Sequence, residues 1–270
     1  MPDALTIGVE AAMRDAAMRA ILPRFRDLAA HEVIEKSAGD VVTVADHEAE
    51  MILEERLAAL LPEAAIVGEE AAHGDPSVLE RLDGSLCWII DPVDGTNNFA
   101  EGKPPFGVLV ALADKGQAIR GWILDCATGR FCHAEAGKGA FINGERITAR
   151  TSGENPPVAA ISLLYLDEQG REQMRRYISP HYRLVEIPRC AAEQYPRLAL
   201  GQNDVSVFNR TFAWDHAAGV LFLEEAGGKA ARLDGSPYRV DEPGRTGLIA
   251  AATPALWDGL AARIAAIPSA

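Results

Sequence analysis

Paired cysteines are missing from this chain. Cys87, Cys126, Cys132 and Cys190 have no C-x-x-C spacing, and no basic flank with an uninterrupted apolar run opens the sequence. That removes a disulfide framework and a paired-thiol redox centre, and makes reduced thiols in a cytoplasmic protein the expectation. Paired histidines are missing too. His31, His47, His73, His133, His181 and His216 show no i, i+4 pair and no neighbouring cysteine pair, which removes zinc. Basic charge is scarce, 26 Lys and Arg against 39 Asp and Glu for a net charge of -13. Clustered positive charge for a nucleic-acid backbone is therefore not expected, so no nucleic-acid partner is. A small phosphorylated ligand stays open, because an acidic site filled with divalent cations presents positive charge to it. No apolar run spans a bilayer, and the first apolar residues are broken by Glu10, Arg14, Asp15 and Arg19, so no membrane association is expected. With 270 residues, 48% of them hydrophobic, the chain supports one large domain or two intimate lobes.

Two phosphate-handling patterns are also absent. Gly137-Lys138-Gly139 lacks the Ser or Thr that follows Gly-Lys in a phosphate loop and the upstream glycine spacing, so it reads as a turn. In the aspartyl-phosphate pattern D-x-D-G-T a nucleophilic Asp lies two residues before the second Asp; Pro92 holds that place here.

What is present centres on Trp88 to Phe106, WIIDPVDGTNNFAEGKPPF. Cys87 to Ile90 predicts a buried strand stopped by Asp91 and Pro92, since proline removes a ladder donor. Gly95-Thr96-Asn97 then predicts a turn into a helix whose first amides are free for a phosphate. Carboxylates beside a phosphate repel it unless a cation lies between them. The Asp91–Asp94 spacing therefore points to a hard, oxygen-ligated divalent ion, magnesium first. An ordinary Asp-Gly turn is the alternative for the same residues.

Upstream, Val9, Met13, Ala16, Ala20 and Leu22 predict an amphipathic helix limited by Pro23. Residues 36–46 read as a glycine-containing loop leading into a helix to about Leu61. Thr43 and Asp46 have capping-box spacing, which accounts for both; the same helix start can also present Asp46 to a metal site. A strand at Ala64 to Val67 ends in Gly68-Glu69-Glu70, and adjacent strand ends can gather Glu69, Asp91 and Asp94. Segments 106–113, 117–125 and 130–136 predict an antiparallel meander, with Asn143-Gly144 as a hairpin. Thr151 to Pro157 is the expected boundary between lobes of about 1–152 and 153–270 within a single domain 1–270. Beyond it, strands at 157–164, 182–187 and 204–208 alternate with helices at 167–178 and 191–200. Asp215 reads as the N-cap of an apolar helix to about Ala226. A strand at 229–233, a strand at 247–252 and a helix at 254–264 follow.

In this order and spacing the motifs resemble the inositol monophosphatase family, magnesium-dependent and lithium-sensitive phosphomonoesterases. The matching segments are Lys36 to Asp46, Gly68-Glu69-Glu70, Asp91-Pro92-Val93-Asp94-Gly95-Thr96 with Asn98-Phe99, Gly102 to Phe106, Gly137 to Ala140 with Asn143-Gly144, and Trp214 to Gly219 followed by Glu225 to Gly228. The resemblance implies an α/β (α+β) layered sandwich of alternating helix and sheet layers, and a homodimer. It implies metal positions at Glu69, Asp91, the Val93 carbonyl, Asp94 and Asp215 for about two or three magnesium ions. By the same resemblance Glu69 and Thr96 position and deprotonate the attacking water, Asp46 holds or orients an outer metal-water unit, and the Gly95 and Thr96 amides receive the phosphate. Asp94, Ala191, Glu193, Arg210 and Asp215 are the expected substrate contacts.

The implied substrate is a small phosphorylated metabolite, an inositol monophosphate or a sugar phosphate. Fructose 1,6-bisphosphate, histidinol phosphate and phosphoadenosine phosphate are the alternatives. Phe208 to Thr211 replaces the acidic residue that contacts sugar hydroxyls in inositol-directed members, and Arg210 there has two readings, a solvated loop residue or a contact to a second anionic group of the substrate. A non-enzymatic reading, a regulatory binding protein that keeps the fold, is disfavoured because no residue of the ligand set is lost.

Overall fold

The structure is a computed structural model and describes residues 2–37, 40–163 and 166–268. Helix α1 (Ala4–Ala16) is closed by Asp3, which accepts the Thr6 N–H at 2.8 Å, and winds on through 17–21 into a tight turn at Leu22–Arg24. Pro23 ends it as expected. Strands β1 (Val33–Ser37) and β2 (Asp40–Thr43) form a hairpin where the sequence reading had a loop; Ala38 and Gly39 of that loop lie outside the described residues. Helix α2 (Val44–Leu60) starts on a true capping box, Thr43 with Asp46.

Strand β3 (Ala65–Gly68), helix α3 (Glu69–Gly74), strand β4 (Cys87–Asp94) and helix α4 (Thr96–Ala100) come next. The meander follows as β5 (Gly107–Asp114), β6 (Gln117–Asp125), β7 (Phe131–Glu135), β8 (Gly139–Ile142) and β9 (Glu145–Ile147), completing a seven-stranded sheet in the order β3-β4-β5-β6-β7-β8-β9. Only β3 and β4 run parallel in it. Strand β4 does not stop at Asp91 and Pro92. Its pairing with β5 shifts register between Asp91 and Asp94, and proline is tolerated in such an irregularity because no ladder donor is needed there.

The second sheet, in the order β11-β10-β12-β14-β13, is built from β10 (Val158–Ile161), β11 (Arg183–Leu184), β12 (Val205–Phe208), β13 (Lys229–Ala231) and β14 (Leu248–Ala251). Strand β10 ends before the expected residue 164, which lies outside the described residues, and the edge strand β11 is shorter than its predicted span. Helices α5 (Glu168–Gln173), α6 (Ala191–Ala199), α7 (Ala213–Glu225) and α8 (Pro254–Ala265) complete the chain. Among the described residues no helix is long and apolar enough to cross a membrane.

Helices and sheets alternate in layers. Along β4, Cys87 and Ile89 face the core shared with α6 and α7, whereas Trp88 and Ile90 face the core shared with α1 and α2. Strand β5 divides likewise, with Leu109 and Ala111 on one side and Val108 and Val110 on the other. A third core lies on the small sheet, where Val205, Ile249 and Ala251 meet Met174, Ile178, Trp257 and Leu260. The α6–α7 layer sits close to its neighbours through two glycines. A Cβ at Gly121 would stand 2.8 Å from the Ala218 Cα, and one at Gly219 would stand 2.0 Å from the Tyr195 ring.

Candidate active site

The parallel pairing of β3 with β4 sets Gly68 opposite Ile90, so Glu69 and Asp91 leave adjacent strand ends side by side. The start of α3 is fixed from α2: the Glu50 carboxylate accepts the Glu70 N–H at 2.9 Å and the Ala71 N–H at 2.8 Å. Burial pushes the Glu50 carboxyl up to about 7. The shifted end of β4 brings Asp91 and Asp94 to the same region, and Asp91 Oδ1 accepts the Val93 N–H at 3.1 Å. Gly95 turns the chain with φ of 83° into α4, a left-handed conformation that suits glycine; a Cβ there would also stand 2.9 Å from the Pro105 carbonyl oxygen. Thr96 Oγ1 lies 2.8 Å from the Val93 carbonyl and 3.2 Å from Asp46 Oδ1. The other Asp46 oxygen accepts the Thr43 N–H at 2.8 Å and the Thr43 hydroxyl at 2.6 Å. Asp46 therefore caps α2 and supports Thr96 with one carboxylate.

The C-terminal half supplies the opposite wall. Asp94 Oδ2 accepts the Ala192 N–H at 2.6 Å and the Cys190 thiol at 3.0 Å, which ties β4 to the start of α6. Asp215 comes from α7, but not as its N-cap. The helix begins at Ala213 with Phe212 in the cap position, so Asp215 sits inside the first turn, where a carboxylate still suits the positive helix end. Oxygens of Asp91, Asp94 and Asp215 lie within 4.8 Å of one another.

That proximity is electrostatically unfavourable by itself. Burial first, then the charges of Glu69, Asp94, Asp215 and Asp46, hold the Asp91 carboxyl well above its ordinary range. Burial raises Asp94 as well, against the hydrogen bonds it accepts from Ala192 and Cys190. An oxygen-only donor set of mutually repelling carboxylates fits a hard divalent cation and does not fit a soft one. The thiols take no part as nucleophiles. All four are free and buried, and burial pushes Cys87, Cys126 and Cys132 up to about 12.

These groups open on one cleft. Of the residues expected from the sequence, Glu69, Asp91, Val93, Asp94, Gly95, Thr96, Ala191, Arg210 and Asp215 all line it. Asp46 stands behind Thr96. Glu193 is the correction. It does not line the cleft; its carboxylate is held by Arg130 at 2.5 Å and Arg197 at 2.6 Å. On α6 the face that contains Ala191 recurs at Gln194, which does line the cleft. The helical period was the signal that would have chosen Gln194.

His216 also lines the cleft, where the sequence reading had only set it aside as a zinc ligand. Burial pushes it down to about 3, so the ring is neutral. Its Nε2 lies 3.1 Å from the Arg210 carbonyl and its Nδ1 lies 2.7 Å from the Tyr195 hydroxyl. The ring donates to the carbonyl, which assigns Nδ1 as the acceptor of the Tyr195 proton and fixes the backbone that presents Arg210. The Gly137-Lys138-Gly139 turn is a turn, as read. Its Gly137 and Gly139 amides donate to the Glu225 carboxylate, each at 2.7 Å.

A fructose-1,6-bisphosphatase/inositol-1-monophosphatase of Thermotoga maritima is 32% identical over 206 residues, 75% of this chain and 76% of the relative. An inositol-1-monophosphatase of Caulobacter vibrioides is 32% identical over 239 residues, 86% and 90% of the two chains. A Nus factor SuhB of Pseudomonas aeruginosa is 34% identical over 224 residues, 78% and 80%. Among solved structures, the Thermotoga maritima IMPase superposes with a TM-score of 0.79 at 26% identity, covering 99% of this chain and 100% of the other. The inositol monophosphatase family model matches residues 2–269, so the chain belongs to the inositol monophosphatase family and is a phosphoric monoester hydrolase.

Proposed function

We propose that this protein is a magnesium-dependent phosphomonoesterase acting on a small phosphorylated metabolite, an inositol monophosphate or a sugar phosphate. The observation that supports this best is the Asp91, Asp94 and Asp215 oxygen cluster, which lines one cleft together with Glu69 and Thr96. Glu69, Asp91, the Val93 carbonyl, Asp94 and Asp215 are the residues that would hold the metal. Divalent cations held there supply the positive charge that admits an anionic ester to an acidic cleft and lowers the pKa of the attacking water.

The side chains divide the remaining work. The Thr96 hydroxyl has a single proton and two flanking oxygens, Val93 O and Asp46 Oδ1. Giving that proton to one of them leaves its lone pair to accept a hydrogen bond from the attacking water. Glu69, at the neighbouring strand end, takes the water's proton. The Gly95 and Thr96 amides receive the non-bridging phosphate oxygens, and the leaving alkoxide takes its proton from solvent. Arg210 suits a second anionic group, in keeping with a relative named for fructose 1,6-bisphosphate as well as inositol phosphate. By the same family resemblance we take the protein to be a cytoplasmic, lithium-sensitive homodimer without a nucleic-acid partner.

The test is phosphate release, with magnesium and with chelator, from inositol 1-phosphate, fructose 1,6-bisphosphate, histidinol phosphate, phosphoadenosine phosphate and glycerol 2-phosphate. Magnesium-dependent turnover with one clear preference is expected. A folded, magnesium-binding protein that leaves the whole panel intact contradicts the reading.

A further inference from the structure

Arg189 stands at the cleft in a backbone conformation that works against it. Its φ of 53° lies in the left-handed region, which glycine enters freely and a long L side chain does not. The residues around it enforce the turn. The Pro188 carbonyl accepts from Asn98 Nδ2 at 2.9 Å, and the Cys190 thiol and Ala192 N–H both donate to Asp94 Oδ2. A second term is unfavourable too. Arg189 directly precedes Cys190, the N-cap of α6, and so places a cation at the positive end of that helix.

The Arg189 side chain makes no contact among the described residues that offsets these costs. Arg189 is exposed, and among the described residues no hydrogen bond or ion pair holds its guanidinium. Glu101, the acid whose carboxyl feels its charge, is already paired with Lys103 at 2.9 Å. A side chain that disfavours its own backbone, at the edge of a binding cleft, is explained by what enters the cleft. Charge within the cleft is divided. Glu69, Asp91, Asp94 and Asp215 are its carboxylates, while Arg189 and Arg210 are its guanidinium groups, since burial keeps His216 neutral.

We propose that Arg189, together with Arg210, binds a second oxyanion of the substrate, separate from the phosphate that is hydrolysed, and that Arg189 thereby sets substrate preference. This rests on the phosphatase reading above. A guanidinium fork takes either a phosphate or a carboxylate in bidentate fashion, so the chemistry covers both. The preferred substrate is then a phosphate monoester that bears a further anionic group.

The test uses Arg189→Gly, which the left-handed backbone accommodates better than the native residue, so folding is preserved. Values of kcat/KM with magnesium are compared for two matched pairs: fructose 1,6-bisphosphate against fructose 1-phosphate, and 2-phosphoglycerate against glycerol 2-phosphate. The unsubstituted protein is expected to favour the doubly anionic member of at least one pair by about tenfold, the scale of one charge-assisted contact. In Arg189→Gly that ratio falls toward one, with the change in KM rather than kcat. A response in the first pair assigns a phosphate, and in the second a carboxylate. A ratio near one in the unsubstituted protein, or a preference that survives in Arg189→Gly, overturns the inference alone. Hydrolysis of inositol 1-phosphate but of none of the four esters overturns the inference alone, and hydrolysis of none of the five overturns the phosphatase reading and the inference with it.

Discussion

Asp94 and Asp215 look equivalent in the sequence, each an acid in a signature motif, and the structure separates them. Asp94 Oδ2 also holds the Ala192 amide and the Cys190 thiol, so Asp94→Ala removes an α6 anchor together with a proposed metal position. Asp94→Ala is therefore expected to lower the thermal midpoint and activity together, whereas Asp215→Asn lowers activity with little change in melting. Thr43→Ala removes the cap of α2 and should cost about 1 kcal/mol in a denaturant titration. A cost near zero would mean that the capping geometry contributes nothing. At this scale most of the residues singled out in the sequence line one cleft, and the sequence missed which way some of them point. Glu193 was chosen for its chemistry, but its helical position places it with Arg130 and Arg197 rather than in the cleft.

Elements were legible wherever a local signal had one structural meaning. The capping box at Thr43, the meander and the Asn143-Gly144 hairpin all appear, because each depends on contacts within a few residues. The β1–β2 hairpin was missed, since its residues read as a loop. The end of β4 was missed because its register shift depends on β5, a partner the local sequence does not reveal. Close approach between elements was equally hidden. Gly219 reads as one small residue in an apolar helix, yet its missing Cβ lets α7 lie against the Tyr195 ring of α6. Gly219→Ala should destabilise by about 1–3 kcal/mol through overpacking, despite alanine's better helix propensity. A stabilised Gly219→Ala protein would show that the layer has room to relax.

Across the whole molecule, the acidic balance of -13 becomes a dependence of stability on pH and metal. Asp91 is held above its ordinary 3.8 in the absence of a cation. Its contribution to stability is present below that value and lost as pH rises through the folded pKa. Glu50, raised from 4.5 to about 7, acts in the same sense between those values. His216, lowered from 6.5 to about 3, acts oppositely, its contribution present above 6.5 and lost as pH falls. Glu50 and His216 are not proposed metal positions, so the difference between melts with and without magnesium isolates the acidic cluster. Magnesium should raise the thermal midpoint clearly at pH 8 and much less at pH 4, where the carboxylates hold protons; equal shifts at both pH values would contradict this account.

The most direct test of the central claim is magnesium-dependent phosphate release by the unsubstituted protein and by Asp215→Asn, measured beside their thermal melts. The site predicts turnover that chelator abolishes and that Asp215→Asn lowers by about 100-fold or more, with the melt of Asp215→Asn in chelator no lower than that of the unsubstituted protein. Turnover indifferent to chelator, or retained in a folded Asp215→Asn protein, would contradict a metal-dependent reaction at this carboxylate cluster.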